Sequence, residues 1–165
     1  ASRFTNAFKQ LYAQGYNNVI SIGNDSPDLN LGHVTSAIKK LEQGNMILGP
    51  SSDGGAYLIG MHRSQFNAAT FKALPWQQET LFSEMAAEAY SKNLSVFYLN
   101  ILDDIDATED LFGYVKKNPY TLLAVFAKEF LSEGSSSFGQ FLIGPALQKC
   151  YSSSALRAPP FQLAA

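Results

Sequence analysis

A chain of 165 residues, 46% of them hydrophobic, has the length and apolar content for one packed domain. Its formal charge of -2 gives no electrostatic reason to expect nucleic acid, and its one cysteine, Cys150, rules out an intrachain disulfide and matches a reducing, cytoplasmic setting. No apolar run approaches the roughly 18 residues of a membrane span, and the first residues, Ser2-Arg3-Phe4-Thr5-Asn6, do not have the form of a signal peptide.

Phe4, Phe8, Leu11 and Tyr12 recur at helical spacing, and Gly15 follows where a helix end needs positive φ. Asn18 to Gly23 reads as a short buried strand, and Asp25 to Asn30 as a turn whose last residue caps the next helix. That helix carries Leu31, Val34, Ile38 and Leu41 on one stripe, and Gly44-Asn45 ends it. Met46-Ile47-Leu48 reads as a second strand and Ala56 to Met61 as a third. Phe66 to Leu74 is compatible with a short helix that Pro75-Trp76 breaks. Glu79 to Ser91 is helical, with Leu81, Phe82, Met85 and Ala89 facing inward, and Leu94 to Leu99 is a fourth strand. Thr108 is placed to cap a helix holding Leu111, Phe112 and Val115. Pro119 opens a last helix whose apolar side is Leu122, Val125, Phe126 and Phe130.

Strands alternating with helices predict a three-layer α/β fold with a mostly parallel sheet. The expected organisation is one domain over residues 1–131, followed by a Ser-rich peripheral extension over 132–165 with a short helical element at Phe138 to Leu147.

Three polar turns carry the chemistry. Asp25 and Asp28 follow the first strand, Asp53-Gly54-Gly55 precedes the third, and Asp104 and Asp106 follow the fourth. In open α/β sheets ligands gather beyond the carboxyl ends of strands, and carboxylates there suit a hard divalent cation, Mg²⁺ or Mn²⁺. The same residues also serve as ordinary Asx turns and helix starts, and Gly-Gly as a tight turn. Asp110 serves the helix dipole. Trp76 is a stacking or packing residue, and Glu79 a base, a hydroxyl anchor or a first-turn helix acid. His33 and His62 have no partner at metal-ligand spacing.

In order and spacing, four segments resemble one family: Ile22-Gly23-Asn24-Asp25-Ser26-Pro27-Asp28-Leu29, Leu48 through Gly60, Pro75-Trp76-Gln77-Gln78-Glu79, and Asp104-Ile105-Asp106-Ala107-Thr108-Glu109-Asp110-Leu111. It is the glycosyltransferase-like family of selenodomain-associated transferases, similar in turn to the nucleotide-diphospho-sugar transferases, which include molybdenum-cofactor and phospholactate guanylyltransferases. The resemblance runs from about Phe4 to Val115 and departs from the family pattern at Asn24, Asn30 and Gln77-Gln78. It implies a Rossmann-like sheet of the GT-A type and a divalent metal bridging nucleotide phosphates. Asp25 matches the family's acid after the central strand, Asp106 the second metal carboxylate with Asp104 beside it, and Asp53, Gly54 and Gly55 the acceptor or nucleotide pocket. Such enzymes begin with a strand and a glycine-rich basic loop; none precedes Ser2, so the expected sheet is truncated at its N-terminus.

The functional expectation is a metal-dependent nucleotidyl- or glycosyltransferase acting on a nucleotide or nucleotide-diphospho-sugar. Asp25, Asp106 and Glu79 would be catalytic; Asp53, Gly54, Gly55 and Trp76 would bind substrate; Asp25, Asp104 and Asp106 would hold metal. The alternative is a non-catalytic remnant serving as an assembly module. In either case an open sheet edge favours pairing into a homodimer.

Overall fold

The computed structural model describes residues 1–132. The Ser-rich extension, the helical element expected within it and Cys150 lie outside the described residues. The chain divides into two compact units, one spanning Ala1–Asp110 and one from Leu111 onward.

The first unit contains α1 (Ser2–Ala13), β1 (Asn18–Ile22), α2 (Leu31–Glu42), β2 (Met46–Pro50), β3 (Ala56–His62), α3 (Ala68–Ala73), α4 (Leu81–Ser91) and β4 (Val96–Tyr98). Local chemistry sets several of these boundaries. Asn30 caps α2, its side chain accepting from the Gly32 and His33 amides, while His33 Nδ1 accepts in return from the Asn30 amide. Asn67 caps α3 in the same way, through Ala69 and Thr70. Gly15 takes the predicted positive φ just beyond α1.

The four strands form one sheet in the order β1-β3-β2-β4. The expectation of a mostly parallel, Rossmann-like sheet is overturned. Of the three pairings, β1 with β3 and β2 with β3 are antiparallel, and only β2 with β4 is parallel. The reason lies in the connection from β2 to β3. A parallel return needs a crossover of a dozen or more residues, and the link Ser51–Gly55 is far too short. β3 therefore doubles back beside β2 and inserts between β2 and β1.

The same topology has a second consequence. β1 and β2 both oppose β3, and β4 runs with β2, so β1, β2 and β4 all point one way. Their carboxyl ends, and the amino end of β3, meet at one edge of the sheet.

Alternating side chains on the strands serve two faces. Met46, Leu48, Ile59 and Met61 pack against Phe8 and Tyr12 of α1, Phe71 of α3, and Leu81, Met85 and Ala89 of α4. Ile47, Tyr57 and Leu58 pack against Ala37 and Leu41 of α2. The inner surface of α2 therefore differs from the predicted stripe: Leu31 is 81% exposed and Ile38 is exposed too, so the small Ala37 makes the close approach.

α5 (Thr108–Lys117) starts on Thr108 itself, one position later than a cap would stand. In the second unit α6 (Leu122–Ser132) buries Ala124 and Ala127 with Val115, while Leu122, Val125 and Phe126 are exposed. Three of the residues expected on its buried side are thus exposed, and small residues are buried instead. No helix among the described residues is long and apolar enough to cross a membrane.

Candidate functional site

The convergence of strand ends brings the polar turns of the first unit together. A cleft of about 230 Å³ is lined by Asp25 from the turn after β1, by Ser51, Asp53 and Gly55 from the β2–β3 turn, and by Asp104 and Asp106 from the segment after β4. Phe4, Tyr57, Trp76 and Gln77 also line it. Gly54 and Glu79 do not.

Hydrogen bonds tie the turns to one another. The Ile105 amide donates to the Asp25 carbonyl at 2.9 Å, and the hydroxyl of the buried Ser26 donates to Asp104 Oδ1. The Leu102 carbonyl accepts from the Ser52 amide at 2.9 Å, extending the β2–β4 pairing into both loops. Asp110 Oδ2 accepts from the Asp106 and Ala107 amides, so it closes the start of α5 as its position suggested.

The β2–β3 turn is shaped by its two glycines. Gly54 has φ +88°, and a Cβ there would stand 1.9 Å from the Glu79 carbonyl oxygen. Glu79 therefore meets this turn through its backbone, and its side chain is exposed outside the cleft. The Gly54 carbonyl accepts from the Phe82 amide at 3.0 Å, fastening the turn to the start of α4. Asp53 Oδ1 accepts from the Gly55 amide at 2.8 Å, an Asx turn.

One wall is aromatic. Trp76 stacks on Phe4 with ring centroids 4.9 Å apart and 7° between planes, and its Nε1 donates to the Phe71 carbonyl. Gln77 beside it has φ +65°. Tyr57 forms the floor; its hydroxyl donates to the Asn100 carbonyl at 2.9 Å, and burial pushes its pKa up to about 12, so it stays neutral. Phe4, Tyr57, Gln77, Ser26 and Ser51 were absent from the sequence-derived site. Phe4 and Tyr57 read as core residues in their helix and strand, and Ser26 and Ser51 as turn residues. Only the tertiary fold shows that Phe4, Tyr57, Gln77 and Ser51 share a cleft and that Ser26 braces it through Asp104.

The electrostatics are one-sided. No Lys, Arg or His lines the cleft among the described residues. The Asp106 carboxyl is held above the usual range, first by desolvation and then by the charges of Asp25, Asp104, Asp53 and Asp110. The charged groups lining it are carboxylates only, the set that suits a hard cation and not a soft one. No three His, Cys, Asp or Glu side chains among the described residues stand together as a preformed ligand set. Two carboxylates completed by phosphate oxygens and water still fit Mg²⁺ or Mn²⁺, which commonly bind that way.

Comparison with known proteins agrees with this geometry at the level of the superfamily. A family model described as "Uncharacterized protein conserved in bacteria (DUF2064)" matches residues 1–78. A crystal structure from Desulfovibrio desulfuricans G20, provisionally named a nucleotide-diphospho-sugar transferase, superposes with a TM-score of 0.69 at 25% identity. The match covers 77% of this chain and 57% of that one, so the chain spans little more than half the length of its structural relative. No curated protein matches. The chain is thus related to the GT-A-like nucleotide-diphospho-sugar transferases. The comparisons do not single out the narrower selenodomain-associated family.

Proposed function

We propose that this chain forms part of a cytoplasmic, metal-dependent transferase that moves a nucleotidyl or glycosyl group from a nucleotide or nucleotide-diphospho-sugar to an acceptor. The observation that carries this reading is the meeting of three acid-bearing turns on one cleft at the carboxyl ends of β1, β2 and β4. The relationship to the nucleotide-diphospho-sugar transferases supports it.

In this reading Asp25 and Asp106 are the residues that would hold Mg²⁺ or Mn²⁺. The bound cation would neutralise charge on the phosphates of the donor. Asp104, engaged by Ser26, positions the loop that carries Asp106. The Asp53-Gly54-Gly55 turn receives the acceptor, and Trp76 with Phe4 excludes water from one side of it. Glu79 contributes through its backbone contact with Gly54. The chain's own part in catalysis is then orientation and electrostatics, the usual division of labour in phosphate chemistry.

Calorimetric titration with Mn²⁺ and a panel of nucleotides and nucleotide sugars tests the proposal. We expect Mn²⁺-dependent binding that Asp25→Ala weakens by about tenfold or more, because removing one of few charged ligands lowers affinity steeply. Binding that is absent, or unchanged in Asp25→Ala, would favour the non-catalytic assembly module instead.

A further inference from the structure

Ser51 is 5% exposed, one of three buried polar residues among those described. Its backbone is fully engaged: the amide donates to the Gly55 carbonyl at 3.2 Å, and the carbonyl accepts from the Gly54 amide at 3.1 Å. Its hydroxyl bonds to no described residue, yet it is not sealed in the protein like the Asn118 amide nitrogen, and Ser51 lines the cleft. A hydroxyl that opens only onto the cleft takes its partner from whatever fills the cleft, water or ligand.

The space in front of this hydroxyl is kept open by Gly55. A Cβ on Gly55 would stand 2.8 Å from Ser51 Oγ and 3.0 Å from Asp53 Oδ1. The Ser51 hydroxyl and the Asp53 carboxylate therefore flank one bare α-carbon. Oδ1 of Asp53 already accepts from the Gly55 amide, and Oδ2 has no partner among the described residues. The pair offers a hydroxyl that donates and accepts beside an oxygen that only accepts, the complement of an alcohol group. Phosphate would meet no basic side chain here and four carboxylates, so the chain's own contacts disfavour an anion at this point.

We propose that Ser51, with Asp53 over Gly55, forms a subsite that binds the hydroxyl groups of a neutral polyol ring, a sugar or sugar-like acceptor whose apolar face lies toward Phe4 and Trp76. This rests on the transferase reading of the same cleft and adds the acceptor's chemical class and a binding residue, Ser51. Hydroxyl recognition by buried polar groups is a strong source of selectivity, because an analogue without the hydroxyl leaves those groups unpaired.

The test is saturation-transfer NMR on the full chain without metal, using glucose, mannose, galactose and N-acetylglucosamine as probes, with 31P line-broadening of inorganic pyrophosphate as the anionic control. At least one sugar should receive saturation on its ring protons, and the pyrophosphate 31P resonance should stay sharp. Ser51→Ala should weaken that sugar's binding by about fivefold, one hydrogen bond's worth. Gly55→Ala, which crowds only the ends of two side chains, should abolish it while circular dichroism stays unchanged. If no sugar binds, or if binding is the same in Ser51→Ala, the subsite is refuted. The outcome is separable from the Mn²⁺ titration: sugar binding without metal–nucleotide binding sinks the transferase reading, and the reverse sinks only the subsite.

Discussion

Asp106 stands among like charges at the mouth of an acidic cleft. Its carboxyl is raised by desolvation and by Asp25, Asp104, Asp53 and Asp110, so its folded-state pKa lies above its unfolded value. Between those two values the folded protein holds more protons than the unfolded one. The stability tied to this group is therefore complete below the unfolded pKa and is lost as pH rises through the folded one. Ionised Asp106 thus destabilises the fold at neutral pH. We expect Asp106→Asn to melt higher than the wild type at neutral pH, with the gap closing below about pH 4, where both carry no charge. Because Asp106 is exposed, the gap should be small and should shrink in high salt. Melting curves across pH and salt decide it; equal melting temperatures at neutral pH would contradict it. The acidic residues themselves were legible in the sequence because turn acids after apolar strands stand out. Ser51 was not, since a serine in a Gly/Ser-rich turn carries no sign of whether its hydroxyl is satisfied.

At the scale of elements, capping chemistry was the most readable feature. Asn30 was expected to cap α2, and it does so with His33 completing a reciprocal pair. Asn30→Ala should cost about 1 kcal/mol in urea unfolding, the usual value of an N-cap. A change within a few tenths of a kcal/mol would mean that α2 is held by its packing on Ile47, Tyr57 and Leu58 alone. Helix faces were less readable. On α2 Leu31 and Ile38 are exposed while Ala37 and the predicted Leu41 make the buried contact, and on α6 Leu122 and Val125 are exposed while Ala124 and Ala127 are buried. Periodicity marks an apolar stripe, but the distance to the neighbouring element decides whether the stripe or the small residues beside it turn inward. Trp76 was readable only in part. Its type suggested stacking; its partner, Phe4, comes from α1 and is seventy-odd positions away in the chain.

At the scale of the molecule, the sheet formed by the described residues ends on β1, which pairs on one side only among them. The Gly23 amide donates to the Tyr57 carbonyl and the Arg63 amide to the Asn17 carbonyl, so within β1 the backbone groups of Asn18, Ile20 and Ile22 face away from β3. Ile22 is also exposed. Such an edge accepts another strand. We expect light scattering to show a dimer and Ile22→Lys, which places a charge on the edge, to shift it toward monomer. A wild type that stays monomeric at high concentration would refute this.

Local signals in the chain were enough to determine where helices and strands lie, which residues turn or cap, and that acidic turns follow apolar strands. They work because φ preferences, capping and alternation are settled within a few neighbouring residues. Strands alternating with helices imply a parallel sheet, but the Ser51–Gly55 link is too short for a parallel crossover, so β3 runs against β2. Tertiary structure decided that β3 inserts between β1 and β2, and that the cleft has an aromatic wall and an unpaired hydroxyl. Those outcomes depend on which strands lie side by side, and strand order is a property of long-range packing that no short segment contains.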